Sequence, residues 1–316
     1  MPLTTNTISF TNSVVRAIAS IREPISGELP PALYHYTRFN VVLEIIDSRA
    51  LWATCAADLK DQKEIQHGIE LLKEQVLIKI RSGIPDFPKR LLHLVPGFLS
   101  DAKSQTFIAC FCAKQNSHSH QRRYGDYSLG FNTHRDWYPT LRQTGLSAHV
   151  QYHRVIYEHS RQSSALRDTI DSIVEATSQN SLDIIGGPWK ESIAKLYART
   201  VAQLLMELIV SFKNRSYSQE NEWRIVCRPN LELNSPAHDS AWDNFKHLVN
   251  STPSPNKYVK LRISEPSQGS IIEAFPRHTI PFDSVHRSKT ARNDDEARRK
   301  LLKLFEEDRR LDITVS

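Results

Sequence analysis

The sequence predicts a mixed α+β fold in one compact domain, and three observations carry that reading. Short apolar runs of strand type, such as "ALYHYT" at 32–37 and "TFIACFC" at 106–112, are scattered along the chain. Between them lie stretches of helical periodicity, without the regular strand–helix alternation of a parallel sheet. No internal repeat is visible, and 316 residues at 40% hydrophobic content suffice to bury a core. The expected organisation is an N-terminal extension over 1–30 followed by a single domain over 31–316.

The elements follow in order. A short helix is predicted around 11–22, ended by Pro24 and the "SGELPP" turn. "ALYHYT" reads as a strand and the next segment as a helix burying Val41, Val42, Ile45 and Ile46, with Leu43 at the edge. "ALWATC" is a second strand. An amphipathic helix is predicted over about 64–82 and is broken by "GIPDFP". "TFIACFC", "YSLGFN" and "HVQYHRVIYE" read as strands, the first two separated by a loop, "AKQNSHSHQRR". Helices are expected at about 162–177 and 190–212, with "GGP" at 186–188 between them. A strand over 222–228, then "KYVKLRI", "GSIIEAF", a charged helix over 293–310 and a closing strand "LDITVS" complete the chain.

A net charge of +6 and a pI near 9.1 are compatible with a polyanionic partner without requiring one. Cys55, Cys110, Cys112 and Cys227 form no C-x-x-C pair, and buried free thiols are the expectation, in keeping with a reducing cytoplasm. The N-terminal residues lack a basic start followed by an apolar core, so no signal peptide is expected. No stretch approaches the roughly 18 apolar residues of a membrane span. A cytoplasmic protein with no membrane partner is expected.

Glycine-rich phosphate loops and a G-x-S-x-G nucleophile elbow are absent from the sequence. The stretch "YSQENEWRIVCR" at 217–228 is more telling. Written as a strand, it places Trp223, Ile225 and Cys227 on an apolar face, and Glu220, Glu222 and Arg224 on the other. That polar face is either solvated or the acid end of a cleft. In "LYHYT", His35 and Thr37 share one side of a strand, flanked by Tyr34 and Tyr36. Asp58, Asp61 and Glu64 either bind a divalent cation or cap the helix that follows. His118 and His120 read as part of a solvated polar loop rather than as metal ligands, and no metal is expected.

Taken together, "LYHYT", "NVVLEIIDSRALWAT", "LKDQKE", "FIACFC", "RRYGDYSLGFN" and "SQENEWRIV" resemble DUF2971, a bacterial domain-of-unknown-function family. The chain departs from that family's pattern at Lys60, Gln62, Cys112 and Gln121, while Asp61, Glu64 and Tyr124 match it. The family in turn is similar to ADP-ribosyltransferases of the His–Tyr–Glu kind, among them DNA-targeting toxins and RNA 2′-phosphotransferases. The resemblance implies an ADP-ribosyltransferase-like mixed sheet with flanking helices. It further implies an enzyme that uses NAD as substrate and modifies a macromolecular acceptor, as a toxin or phage-defence effector would; the basic balance and the clusters "HQRRY" and "HRSKTARN" favour DNA or RNA over protein as that acceptor. A partner protein that inhibits it is left open.

Carried over position by position, His35 binds ribose with Thr37 in support, Tyr124 stacks on nicotinamide, and Glu222 is the catalytic carboxylate. Glu220 faces the acceptor. Arg224 either contacts the pyrophosphate or holds Glu222 in place. Tyr36, Asp61 and Glu64 are candidates for the same cleft. Two alternatives stand beside this: a non-catalytic nucleic-acid- or protein-binding module on the same fold, and a metal-dependent nuclease using Asp61, Glu64, Glu220 and Glu222.

Overall fold

The computed structural model describes residues 28–115, 117–134, 137–139, 148–179, 189–229, 257–263, 282–287, 299 and 301–303. The helix expected around 11–22, the "GGP" break, the "GSIIEAF" strand and the closing "LDITVS" strand lie outside them. So does most of the charged helix, of which residues 299 and 301–303 are helical.

Helices and strands are mixed, and among the described residues every pairing between the named strands is antiparallel. The strands are β1 (Ala32–Thr37), β2 (Leu51–Cys55), β3 (Phe107–Cys112), β4 (Tyr127–Asn132), β5 (Trp137–Pro139), β6 (Ala148–Arg154), β7 (Glu222–Pro229), β8 (Tyr258–Ile263) and β9 (Ser284–Arg287). The helices are α1 (Phe39–Ser48), α2 (Gln62–Arg81), α3 (Asp86–Ser104), α4 (His118–Tyr124), α5 (His159–Gln179) and α6 (Trp189–Ile209). Among the described residues, no helix is long and apolar enough to cross a membrane.

β3 is the axis of the sheet. One side of it pairs with β7 along its whole length, from Phe107↔Cys227 to Cys112↔Glu222. Its other side is shared, with β2 joined at Cys55↔Phe107 and β1 only at Tyr34↔Cys112. Beyond β2 the sheet continues through β8 to β5, and beyond β1 through β4 to β9. β1 and β2 therefore part company alongside Cys110, and this gap matters for the site.

Alternation along β3 and β7 explains why "FIACFC" is apolar nearly throughout. Phe107, Ala109, Phe111, Trp223 and Ile225 face a core closed by Val42, Ile45 and Ile46 of α1. Ile108 and Val226 face a second core built from α2, α3, α5 and α6, with Leu72, Leu92, Leu166 and Leu205 among its members. A Cβ at Gly68 would sit 2.7 Å from Ile209 Cγ2, so glycine allows the close approach of α2 to α6.

Helix α3 has no counterpart among the elements expected from the sequence, where "GIPDFP" is only a breaker. Pro88 lies in the first turn, where backbone N–H groups have no intrahelical partner. Pro96 removes one helical hydrogen bond from the interior. The buried Leu91, Leu92, Val95 and Leu99 more than offset that loss. Helix α4 replaces part of the loop expected between β3 and β4.

Candidate functional site

The acid end of the site forms where the chain turns into β7. A 3₁₀ helix, Arg215–Glu220, is capped by the Asn214 side chain, which accepts from the Ser216 N–H at 2.9 Å. Asn221 then takes a left-handed conformation at φ 45°, which asparagine tolerates better than most residues. The sequence reading put Glu220 on the same strand face as Glu222. The strand in fact begins at Glu222, and Glu220 arrives from the turn before it.

Both glutamates reach one cation that the sequence reading missed. Lys213 Nζ lies 2.7 Å from Glu220 Oε2, 2.7 Å from Glu222 Oε2 and 3.4 Å from Glu64 Oε1. The Gln162 amide fixes the segment carrying Lys213 by donating to the carbonyls of Ile156 and Lys213 at 2.7 and 3.0 Å. Arg224 completes the cluster from behind. Its Nε donates to Glu222 Oε1 at 2.7 Å, its Nη2 to Glu64 Oε2 at 2.8 Å and its Nη1 to the Val210 carbonyl. Arg123 of α4 donates to Glu220 Oε1 at 2.9 Å and lies over the rings of Tyr124 and Tyr217. Three carboxylates thus meet three cations.

Burial alone would raise the Glu222 carboxyl, but Arg224 and Lys213 overcome it and hold the group down at about 2. Burial would likewise lower Lys213 and Arg224, and the carboxylates around them hold both above their ordinary values. Because Glu222 is depressed in the folded chain, its stabilisation is fully present above its ordinary value near 4.5 and is lost as pH falls through about 2. Urea unfolding followed between those limits is expected to show a steep acid loss in the wild type. In Glu222→Gln the slope is expected to be shallower by up to one proton, and equal slopes would show that Glu222 is not held this way.

On the open side of the cluster lies a small cleft. β1 contributes His35 and Tyr36 to it, β3 contributes Cys110 and Phe111, α4 contributes His120 and Tyr124, and the acid end contributes Glu220 and Glu222. In the gap between β1 and β3, His35 Nδ1 lies 2.9 Å from the Cys110 carbonyl oxygen. A carbonyl only accepts, so Nδ1 carries the proton and the neutral ring keeps Nε2 as an acceptor. Burial lowers the pKa of His35, with the Cys110 carbonyl working against it.

Tyr36 anchors the loop before α4. Its hydroxyl accepts from the Ser117 N–H at 2.9 Å and lies 2.6 and 2.7 Å from the carbonyls of Lys114 and Gln115. Tyr124 is 39% exposed and presents a ring to the cleft. Burial raises Tyr36 and Tyr124 to about 12 each, so both hydroxyls stay protonated. Gly125 follows Tyr124 at φ 136°, and a Cβ there would meet the Thr37 carbonyl oxygen at 2.3 Å, so only glycine lets α4 close onto β1.

The structure therefore brings His35, Tyr36, Tyr124, Glu220 and Glu222 to one cleft and leaves the other candidates elsewhere. Arg224 is 2% exposed and committed to carboxylates behind the cleft, so it offers no guanidinium to a pyrophosphate. Thr37 is buried and does not line the cleft, and the Cys110 carbonyl holds the His35 ring in the place assigned to Thr37. Asp61 caps α2, accepting from the Lys63 N–H at 3.2 Å. Glu64 joins the buried cluster instead of the cleft surface.

Two further expectations change. His120, read as solvated, is buried, while His118 is exposed. Cys110 opens onto the cleft, whereas Cys55, Cys112 and Cys227 are buried as expected. Burial and the adjacent Glu222 carboxylate raise the Cys110 thiol, so it is protonated. Lys213 left little signal: a lysine after the apolar "LLMELIVSF" reads as a charge at a helix end.

No curated protein matches the chain, and no solved structure does. Residues 113–225, which carry His120, Arg123, Tyr124, Lys213, Glu220, Glu222 and Arg224 but not His35, match the family model described as "Protein of unknown function (DUF2971)".

Proposed function

We propose that the protein binds NAD in this cleft and transfers its ADP-ribosyl unit to a macromolecular acceptor, nucleic acid in preference to protein. One observation carries the reading. His35, Tyr124 and Glu222 come from three segments far apart in sequence and line a single cleft. Tyr124 supplies an aromatic face, His35 Nε2 an acceptor for a ribose hydroxyl, and Glu222 a fixed negative charge.

Breaking the nicotinamide–ribose bond builds positive charge at C1 of the sugar. A carboxylate held at about 2 is ionised at every physiological pH. Its role is therefore to stabilise that charge and to orient the sugar hydroxyl, not to exchange protons. Two of its acceptor positions are taken by Arg224 and Lys213, which leaves others for the cleft.

The same cations favour a second reading. Glu220 and Glu222 are already neutralised within the fold, as befits a binding module without turnover. They also disfavour a nuclease, since the Lys213 ammonium holds the centre that a cation between Glu64, Glu220 and Glu222 would take. NAD binding is tested by thermal unfolding. Ligand at 100 times its Kd stabilises the folded state by about 2.7 kcal/mol, so Tm is expected to rise with NAD concentration. An unchanged Tm at millimolar NAD would end the NAD reading.

A further inference from the structure

We infer that His120 is the proton acceptor of this cleft, taking the proton of the acceptor group as that group attacks the ribose. The inference rests on the transfer reading above. An acceptor hydroxyl or amine that attacks C1 must lose a proton, and an efficient base has a proton affinity near the working pH. The glutamates do not qualify. Glu222 accepts from Arg224 and Lys213, and Glu220 from Arg123 and Lys213, so protonating either would strand a buried cation. The Cys110 thiol is itself protonated.

His120 has the geometry of an oriented base. Its Nδ1 lies 2.7 Å from Ser117 Oγ, which is in turn 3.0 Å from Ser119 Oγ. Its ring is held between Tyr36 at 5.0 Å and Tyr124 at 5.7 Å between centroids. Nε2 has no hydrogen-bond partner among the described residues, and the residue lines the cleft. The groups facing it are Tyr36 from β1, Ser117, Ser119, Arg123 and Tyr124 from α4 and its start, and Lys213, Glu220 and Glu222 from the acid end.

Burial keeps His120 neutral, with its pKa below the usual 6.5; Glu220 and Glu222 pull the other way, and Lys213 and Arg123 add to the lowering. His35 has no acid-end carboxylate beside it, since the Cys110 carbonyl is its polar neighbour. In the step, the bond from the acceptor atom to C1 forms as the bond from C1 to the nicotinamide nitrogen breaks. Nicotinamide leaves as a neutral molecule with the bonding pair. The acceptor's proton passes to His120 Nε2 and then to solvent.

The test follows nicotinamide release from millimolar NAD by the whole chain as a function of pH, with single-stranded DNA or RNA supplied as acceptor and NAD-dependent Tm in parallel. His120→Asn keeps a donor towards Ser117 but has nothing at the Nε2 position. It is expected to lower release about 100-fold and to lose the acid limb of the wild-type profile, while NAD still raises Tm. If His120→Asn matches the wild type at every pH, the inference fails and the transfer reading stands. If the wild type neither binds nor consumes NAD, that reading fails and takes the inference with it. Imidazole ¹⁵N NMR of the wild type decides the matter even where the variant does not fold. A neutral ring protonated at Nδ1 at pH 7 is expected, and a ring protonated at Nε2 or charged at pH 7 overturns the inference.

Discussion

Replacing Lys213 with methionine is expected to lower the free energy of unfolding by about 3–5 kcal/mol, the cost of breaking a buried ion cluster from one side. Lys213 is 3% exposed and stands between three carboxylates. Methionine fills most of the volume of the lysine stem, so cavity formation contributes little. What is lost is charge: Glu64, Glu220 and Glu222 would face only Arg123 and Arg224. Adding Glu220→Gln restores the balance, and the double variant is expected to recover much of the loss in urea unfolding. A cost below about 1 kcal/mol for Lys213→Met, the range of an exposed ion pair, would contradict the buried counter-ion role.

Glu222→Gln is expected to lower turnover of NAD by about 10²–10³-fold, the loss that follows removal of one preorganised charge-stabilising group. Glutamine keeps the size and one acceptor oxygen but removes the charge. Its amide must also turn an N–H towards either Lys213 or Arg224, each of which can only donate. Some stability is lost as well, so the assay belongs well below the variant's Tm. The fall should lie in kcat, with NAD still raising Tm, and the variant should keep the wild-type pH profile because Glu222 exchanges no proton in the working range. Equal turnover in wild type and variant would remove Glu222 from the chemistry.

The parts of the fold legible in the sequence were those whose signal is local. "ALYHYT", "TFIACFC" and "EWRIVCR" are rich in aromatic and β-branched residues, and the structure has strands at each. Helix α3 is hidden because "GIPDFP" reads as a breaker, whereas Pro85 precedes the helix and Pro88 lies in a first turn that has no bonds to lose. Helix α4 was hidden because "HSHQRRY" is polar without a period. Within the site, residue types were readable and their partners were not. Lys213 meets Glu222 only through the left-handed turn at Asn221, and His35 meets Cys110 only because β1 and β2 diverge beside β3. Such contacts depend on register and topology, which no window of sequence carries. Arg224 shows the converse, since its spacing from Glu222 allowed both a ligand contact and a structural one, and burial decided for the latter.

A structure of the chain crystallised with NAD tests the central claim most directly. The account predicts the nicotinamide–ribose half in the cleft, in contact with His35, Tyr124 and Glu222. An empty cleft at saturating NAD, or NAD bound where it touches none of the three, would contradict it.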